Sequence, residues 1–134
     1  MQRERPRVGV ALFLMRGDEA LFILRRGPHR KGCWGLVGGH LEHGESPQDA
    51  AARECLEEVG VDLHPELIVP GPFTNDVFEA EGRHSVTLWL SAELPAGQVT
   101  QNREPHKAER VAWFRLDALP RPLFLPVVNF LRQP

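Results

Sequence analysis

The sequence predicts an α/β fold, a mixed sheet packed between helices, and three observations carry that expectation. Residues 7–15 and 20–25 read as apolar strands around a polar turn. A stretch that opens on the glycine pair Gly38-Gly39 runs into a strongly signposted helix ending at Gly60. Strand patterns return over residues 73–78, 84–94 and 109–116, and a helical segment follows. Strands interleaved with helices bury their apolar faces best as a sheet covered by helices. At 134 residues the chain is expected to form one domain, 1–134, with a sizeable core.

From Arg7 to Met15, Val8, Val10, Leu12 and Leu14 face one way and Gly9, Ala11, Phe13 and Met15 the other. Both sets are largely apolar, as in a strand covered on both faces. Arg16-Gly17-Asp18-Glu19 is a turn, so Ala20 to Arg25 is expected to complete a hairpin. Arg25, Arg26, His29, Arg30 and Lys31 then form a basic cluster. Most such clusters are solvated loops. Its place just ahead of the glycines makes Arg26 a candidate to face phosphate. Trp34 is expected as a packing anchor, and Leu41-Glu42 as a short returning strand.

The helix after the glycines is marked at both ends. Ser46 can cap the first turn, Pro47 fits the first helical position, and Asp49 stands where a capping-box acid would reach back. Gly60 suits the C-terminal cap. At roughly 100° per residue, Ala51, Ala52, Cys55, Leu56 and Val59 share the expected buried side, with Arg53, Glu54, Glu57 and Glu58 opposite. Glu54, Glu57 and Glu58 are surface neighbours at i, i+3 and i+4, so their charges repel. Arg53 can pair with Glu57 at i, i+4. An acidic triplet alone is a solvated face with ordinary salt bridges. The glycine loop and the fixed spacing turn the reading towards a site for a hard cation, Mg²⁺ or Mn²⁺, on oxygen ligands.

Gly39, Glu45, Arg53-Glu54, Glu57-Glu58, Gly60 and Val61 together resemble the Nudix box. Every charged and glycine position of that pattern is filled. Cys55 replaces the usual aliphatic residue, and Val37 stands where many members have proline. The resemblance implies the Nudix α/β/α sandwich, with a mixed sheet between helices, and a Mg²⁺-dependent hydrolase, Mn²⁺ being a possible substitute. It implies metal ligation by Glu54, Glu57, Glu58 and the Gly38 carbonyl. It assigns catalysis to Glu54, Arg53 and Glu57, with Arg53 orienting the glutamates and Glu54 a candidate general base. Glu45 is expected to hydrogen-bond beside the cluster.

Downstream, residues 61–69 are expected to hold a short strand interrupted by Pro70-Gly71-Pro72. Residues 73–78 and 84–94 should pair around Glu81-Gly82-Arg83, and residues 95–105 should form a loop. Residues 122–132 should form a final helix that Pro126 kinks or delays. Glu104-Pro105-His106-Lys107 followed by Trp113 resembles a segment of MutT-like nucleoside-triphosphate diphosphatases, as does Gly39-His40-Leu41-Glu42. That likeness makes Gly39, His40, Glu104 and Lys107 substrate-site candidates beside Arg26, with Glu109 a further acid within reach of the metals. It implies conversion of a nucleoside 5′-triphosphate to monophosphate and pyrophosphate.

The tyrosine typical of dinucleoside-polyphosphate hydrolases and the proline typical of ADP-ribose hydrolases are missing from their usual places. Nucleotide sugars and dinucleoside polyphosphates stay open as substrates, and so does a non-catalytic nucleotide-binding module. Phe13, Phe73, Phe78, Trp89 and Trp113 are candidates to stack on a base. A net charge of −2 argues against a nucleic-acid polymer as partner. No apolar run approaches the roughly 20 residues that span a bilayer. Two cysteines are too few for a disulfide scaffold, and a reducing cytoplasm is expected. A homodimer stays open.

Overall fold

A computed structural model describes residues 4–28 and 32–134. His29, Arg30 and Lys31 of the basic cluster lie outside the described residues. Seven strands and two helices follow one another: β1 Arg7–Arg16, β2 Glu19–Arg25, β3 Trp34–Gly35, β4 Val37–His40, α1 Pro47–Val59, β5 Val69–Phe78, β6 Arg83–Glu93, β7 Ala108–Arg115 and α2 Leu125–Leu131. The strands form one mixed sheet in the order β3-β2-β1-β6-β5, with β4 joined to β1 and β7 to β2. Strand β1 runs parallel to β6 and antiparallel to β2 and β4. The expected mixed sheet between helices is the architecture observed.

Strand β1 organises both layers. Val10, Leu12 and Leu14 join Ala50, Ala51, Cys55 and Val59 of α1 in one core cluster. Ala11 joins Trp89 and Val127 of α2 in the other, with Phe13 and Phe130 packed against it. A strand apolar from Val8 to Met15 is thus covered on both faces. Phe130 stands 4.7 Å from the Trp89 ring and 5.1 Å from Phe13, centroid to centroid. Such contacts add to the roughly 1.5–3 kcal/mol that full burial of a large apolar side chain contributes. Trp34 is buried, as an anchor should be.

Several local expectations are corrected. The β1–β2 hairpin is paired only at Met15–Ala20 and Arg16–Glu19, because the rest of that edge of β1, from Gly9 to Leu12, is taken by β4. The glycine pair therefore lies in strand β4, not in a loop, and Leu41-Glu42 is not a strand. Between residues 61 and 69 a 3-10 turn, Pro65–Leu67, replaces the expected strand. Strand β5 begins at Val69 and carries Pro70-Gly71-Pro72 within it, where its register against β6 shifts. It is the edge strand of the sheet order, and an edge tolerates prolines that cannot donate to a ladder. In α1, Ala50 is buried while Leu56 is 47% exposed, so the apolar face is turned from its expected position. Of the two effects expected of Pro126, delay is the one observed, and α2 is shorter than residues 122–132. Pro126 sits in the first turn, and the helix starts only after Phe124.

Candidate active site

The site is assembled where α1 meets β4. Ser46 caps α1, its hydroxyl accepting from the Asp49 N–H at 3.0 Å, and Gly60 closes it in the left-handed region at φ 73°. The rotated apolar face draws Glu54 and Glu58 in from solvent, contrary to the expected outward stripe, and leaves Glu57 half exposed. The Gly38 N–H donates to Glu58 Oε1 at 2.9 Å. A Cβ on Gly39 would stand 2.5 Å from the Glu54 carboxyl, so only glycine lets helix and strand approach this closely.

Arg53 ties the acids together. Its Nε and Nη2 donate to the two carboxylate oxygens of Glu45 at 2.7 and 3.0 Å, and its Nη1 donates to Glu54 at 2.7 Å. Its Nη2 also donates to the His40 carbonyl at 3.1 Å. Glu57, the pairing partner expected from the i, i+4 rule, is the looser contact at 3.7 Å. The fork suits Glu45 bidentately, and Glu45 is the first cause holding the guanidinium well above its usual pKa. The same hydrogen bonds hold Glu45 below the usual carboxylate range.

Burial pushes Glu58 up to about 8, and the neighbouring charges of Glu54 and Glu104 add to the rise. Glu54 is also raised, first by burial, against the pull of Arg53. Acids so placed favour a proton or a cation over bare charge. Among the described residues, no three Asp, Glu, His or Cys side chains already converge on one cation position. The donor set fits a hard divalent cation in kind: every candidate offers oxygen, and Glu54 and Glu58 are partly buried acids whose like charges conflict.

A cleft of about 490 Å³ opens on the α2 side of the sheet, beside Gly38, Gly39 and His40. Arg5, Arg7, Arg25, Arg83 and His84 stand on its walls, and Phe78, Trp89 and Phe124 supply aromatic surface. Burial first, then Arg7 and Arg83, lower the pKa of His40. Of the expected stacking candidates, Phe78 and Trp89 reach this cleft, and Phe73 lines a shallow hollow elsewhere. Phe13 packs on Trp89 and Phe130, and Trp113 lies under Arg16.

The substrate candidates divide. Gly39 and His40 border the cleft, whereas Arg26, Glu104 and Lys107 are not among its lining residues. Arg25 lines it in place of Arg26, its guanidinium 4.1 Å from the Phe124 ring and its charge felt at Glu58. The pairing of β2 with β7 shifts register between Leu24 and Arg25, just where the chain meets the cleft, and strand alternation in the sequence carries no sign of it. Glu104 acts electrostatically on both Glu54 and Glu58. Lys107 is exposed and 3.9 Å from Glu104. Arg7 and Arg83 were legible only as strand-end charges.

A NUDIX domain model matches residues 5–133. The NAD-capped RNA hydrolase NudC of Stutzerimonas stutzeri is 35% identical over 121 residues, covering 86% of this chain and 39% of that protein. The human 8-oxo-dGDP phosphatase NUDT18 is 31% identical over 87% of this chain and 34% of its own length. The chain thus spans well under half of the curated relatives it matches. Among solved structures, a MutT NUDIX hydrolase from Burkholderia pseudomallei superposes with a TM-score of 0.86 at 32% identity, over 96% of this chain and 98% of that one. Such a match along nearly the whole described chain, in sequence and in fold, means that the chain belongs to the Nudix hydrolase family.

Proposed function

We propose that this protein hydrolyses a nucleoside 5′-triphosphate to the monophosphate and pyrophosphate, with Mg²⁺, or Mn²⁺ in its place, bound at the acids of α1. The carrying observation is the apposition of two features. The partly buried, mutually repelling Glu54 and Glu58 lie against β4, and the cation-walled cleft opens at the same strand. A chain of phosphates laid along Gly38–His40 meets arginines on one side and the acid cluster on the other.

Glu54, Glu57 and Glu58 would hold the metal, with the Gly38 carbonyl as a further oxygen and Glu104 close by. A bound divalent cation would screen the phosphate oxygens and make a coordinated water more acidic. Arg53 fixes Glu54 through a 2.7 Å hydrogen bond and is itself fixed by Glu45. The carboxylates then keep one arrangement while charge develops on the phosphoryl oxygens, and such preorganisation is the main source of rate in phosphoryl chemistry. Glu54, its pKa raised by burial, suits a general base. Arg25, Arg7 and Arg83 would receive the remaining phosphate charge. Glu104 and Lys107 would act from the rim.

A second reading takes a nucleoside diphosphate linked to another group. It is favoured by the relative that acts on NAD-capped RNA. A panel of triphosphates, 8-oxo nucleotides, nucleotide sugars, NAD and dinucleoside polyphosphates, with products identified by chromatography, separates the two. Pyrophosphate release from a triphosphate at a kcat/KM of about 10⁴ M⁻¹s⁻¹ or better is the expected result. Monophosphate products from linked diphosphates, with triphosphates untouched, would replace the first reading by the second. Tight nucleotide binding with no turnover would leave a binding module.

A further inference from the structure

A buried polar chain lies behind the aromatic wall of the cleft. Asp76 on β5 is fully buried. Its carboxylate receives the Thr74 hydroxyl at 3.1 Å, the Thr87 hydroxyl at 2.5 Å and the Asn129 amide of α2 at 2.9 Å. Thr74 in turn accepts from the indole Nε1 of Trp89 at 2.9 Å. A carboxylate only accepts, and each hydroxyl owns one proton, so every bond in this chain has a fixed direction. Trp89 gives its proton to Thr74, and both threonines give theirs to Asp76.

Thr87 and Trp89 both line the cleft. With its N–H spent, Trp89 offers a ligand only its ring. With its proton spent, Thr87 offers only lone pairs. This stretch of wall therefore accepts hydrogen bonds and donates none. Its position is also defined. Thr87 pairs with Gly9 across β1, and Gly9 pairs with His40 on β4. Two strand spacings make about 10 Å. A nucleotide with its phosphates at Gly39–His40 would lay its base over this part of the sheet, and Gly9, between them, projects no side chain.

We propose that Thr87, oriented by Asp76, is an acceptor-only contact for the exocyclic amino group of the bound base, and that the site selects amino-bearing bases through it. The inference rests on the reading of the cleft as a nucleotide site. Asp76 is a positioning residue, since it acts by holding the Thr87 proton away from the ligand. A ligand that presents a carbonyl there would face lone pairs with lone pairs, and a buried polar mismatch of that kind discriminates strongly.

The test is binding of nucleoside 5′-monophosphates to the full chain without metal, by calorimetry. It uses matched pairs that differ only in the amino group: AMP against purine riboside monophosphate, GMP against IMP, and CMP against its analogue lacking the amino group. At least one amino-bearing member should bind on the order of tenfold tighter. Thr87→Val should bring that pair within about twofold, while Thr87→Ser, which keeps the hydroxyl, should retain most of the difference. Asp76→Asn can donate to Thr87 and free its proton towards the cleft, so the preference for the amino-bearing member should weaken or vanish. Equal binding within every pair, a preference that survives Thr87→Val, or a Thr87-dependent preference for ribose over deoxyribose alone would each overturn the proposal. Failure to bind any monophosphate would do so too. Hydrolysis is scored separately. Triphosphate turnover without Thr87-dependent selectivity removes this contact alone, and selectivity without turnover removes the hydrolytic reading alone.

Discussion

Glu58 shows how one residue can carry two opposing demands. Its burial against β4 raises its pKa from an ordinary 4.5 to about 8, while the Gly38 N–H pulls the other way. The folded state therefore holds this proton more tightly than the unfolded state. That contribution to stability is complete below the unfolded pKa and is lost as pH rises through about 8. Metal-free protein should lose melting temperature across that window, and Glu58→Gln, which cannot ionise, should flatten the slope. Thermal melts of both proteins from pH 5 to 9 check this, and an equally steep slope in the variant would refute it. The same variant should lose most of its hydrolysis while staying folded, and full activity would remove Glu58 from the site. Gly39→Ala is the complementary case. Its Cβ would push the Glu54 carboxyl aside from a separation of 2.5 Å, and displacement of a catalytic group by about 1 Å costs on the order of 100-fold in rate. A circular dichroism spectrum like the parent's, with kcat/KM down by about that factor, is the expected outcome.

At the scale of the element, α1 does the positioning, and its ends were legible from side-chain chemistry alone. The Ser46 cap and the left-handed Gly60 are local motifs, set by residues within one turn of each other. Ser46→Ala should cost about 1 kcal/mol, read from urea unfolding at unchanged slope, with a modest effect on kcat. Unaltered stability would show that the 3.0 Å bond to Asp49 contributes nothing. The face of the helix was less legible. Ala50 and Leu56 each continue an apolar stripe on the helical wheel, and only docking against β1 and β4 decided that the small residue goes in and the large one stays half exposed. That rotation brings Glu54 and Glu58 to the strand.

Across the whole molecule, the sheet holds two layers that meet different needs. The α1 layer carries acids, and the α2 layer carries the cleft and its aromatic wall. A divalent cation that binds only the folded acids should stabilise the protein by mass action. Because protons compete for the same carboxyls, the shift in melting temperature with Mg²⁺ should grow from pH 5 to pH 8 and vanish with chelator. A shift independent of pH would place the metal elsewhere. Trp89, buried to 2% exposure between β6 and α2, is the keystone of the second layer. Trp89→Ala should cost about 3–5 kcal/mol, measured by denaturant unfolding.

The sequence by itself determined the class of fold, the acid-bearing helix and the kind of ion those acids suit. Alternation, caps and box spacing are short-range features, and each is written in consecutive residues. The tertiary structure decided the rest. Whether Gly38-Gly39 lies in a loop or a strand depended on which partner took the edge of β1, and β4 took it from β2. Arg25 rather than Arg26 lines the cleft, at the end of β2 where its pairing with β7 shifts register. Asp76, Thr74 and Thr87 are ordinary strand residues in the sequence. They become a directed hydrogen-bond chain only because the β5–β6 pair sets Thr87 beside Asp76 and α2, 53 residues on, brings Asn129 to the same carboxylate. A partner as far along the chain as Asn129 is from Asp76 leaves no periodic mark, so that contact exists only once α2 has docked on the sheet.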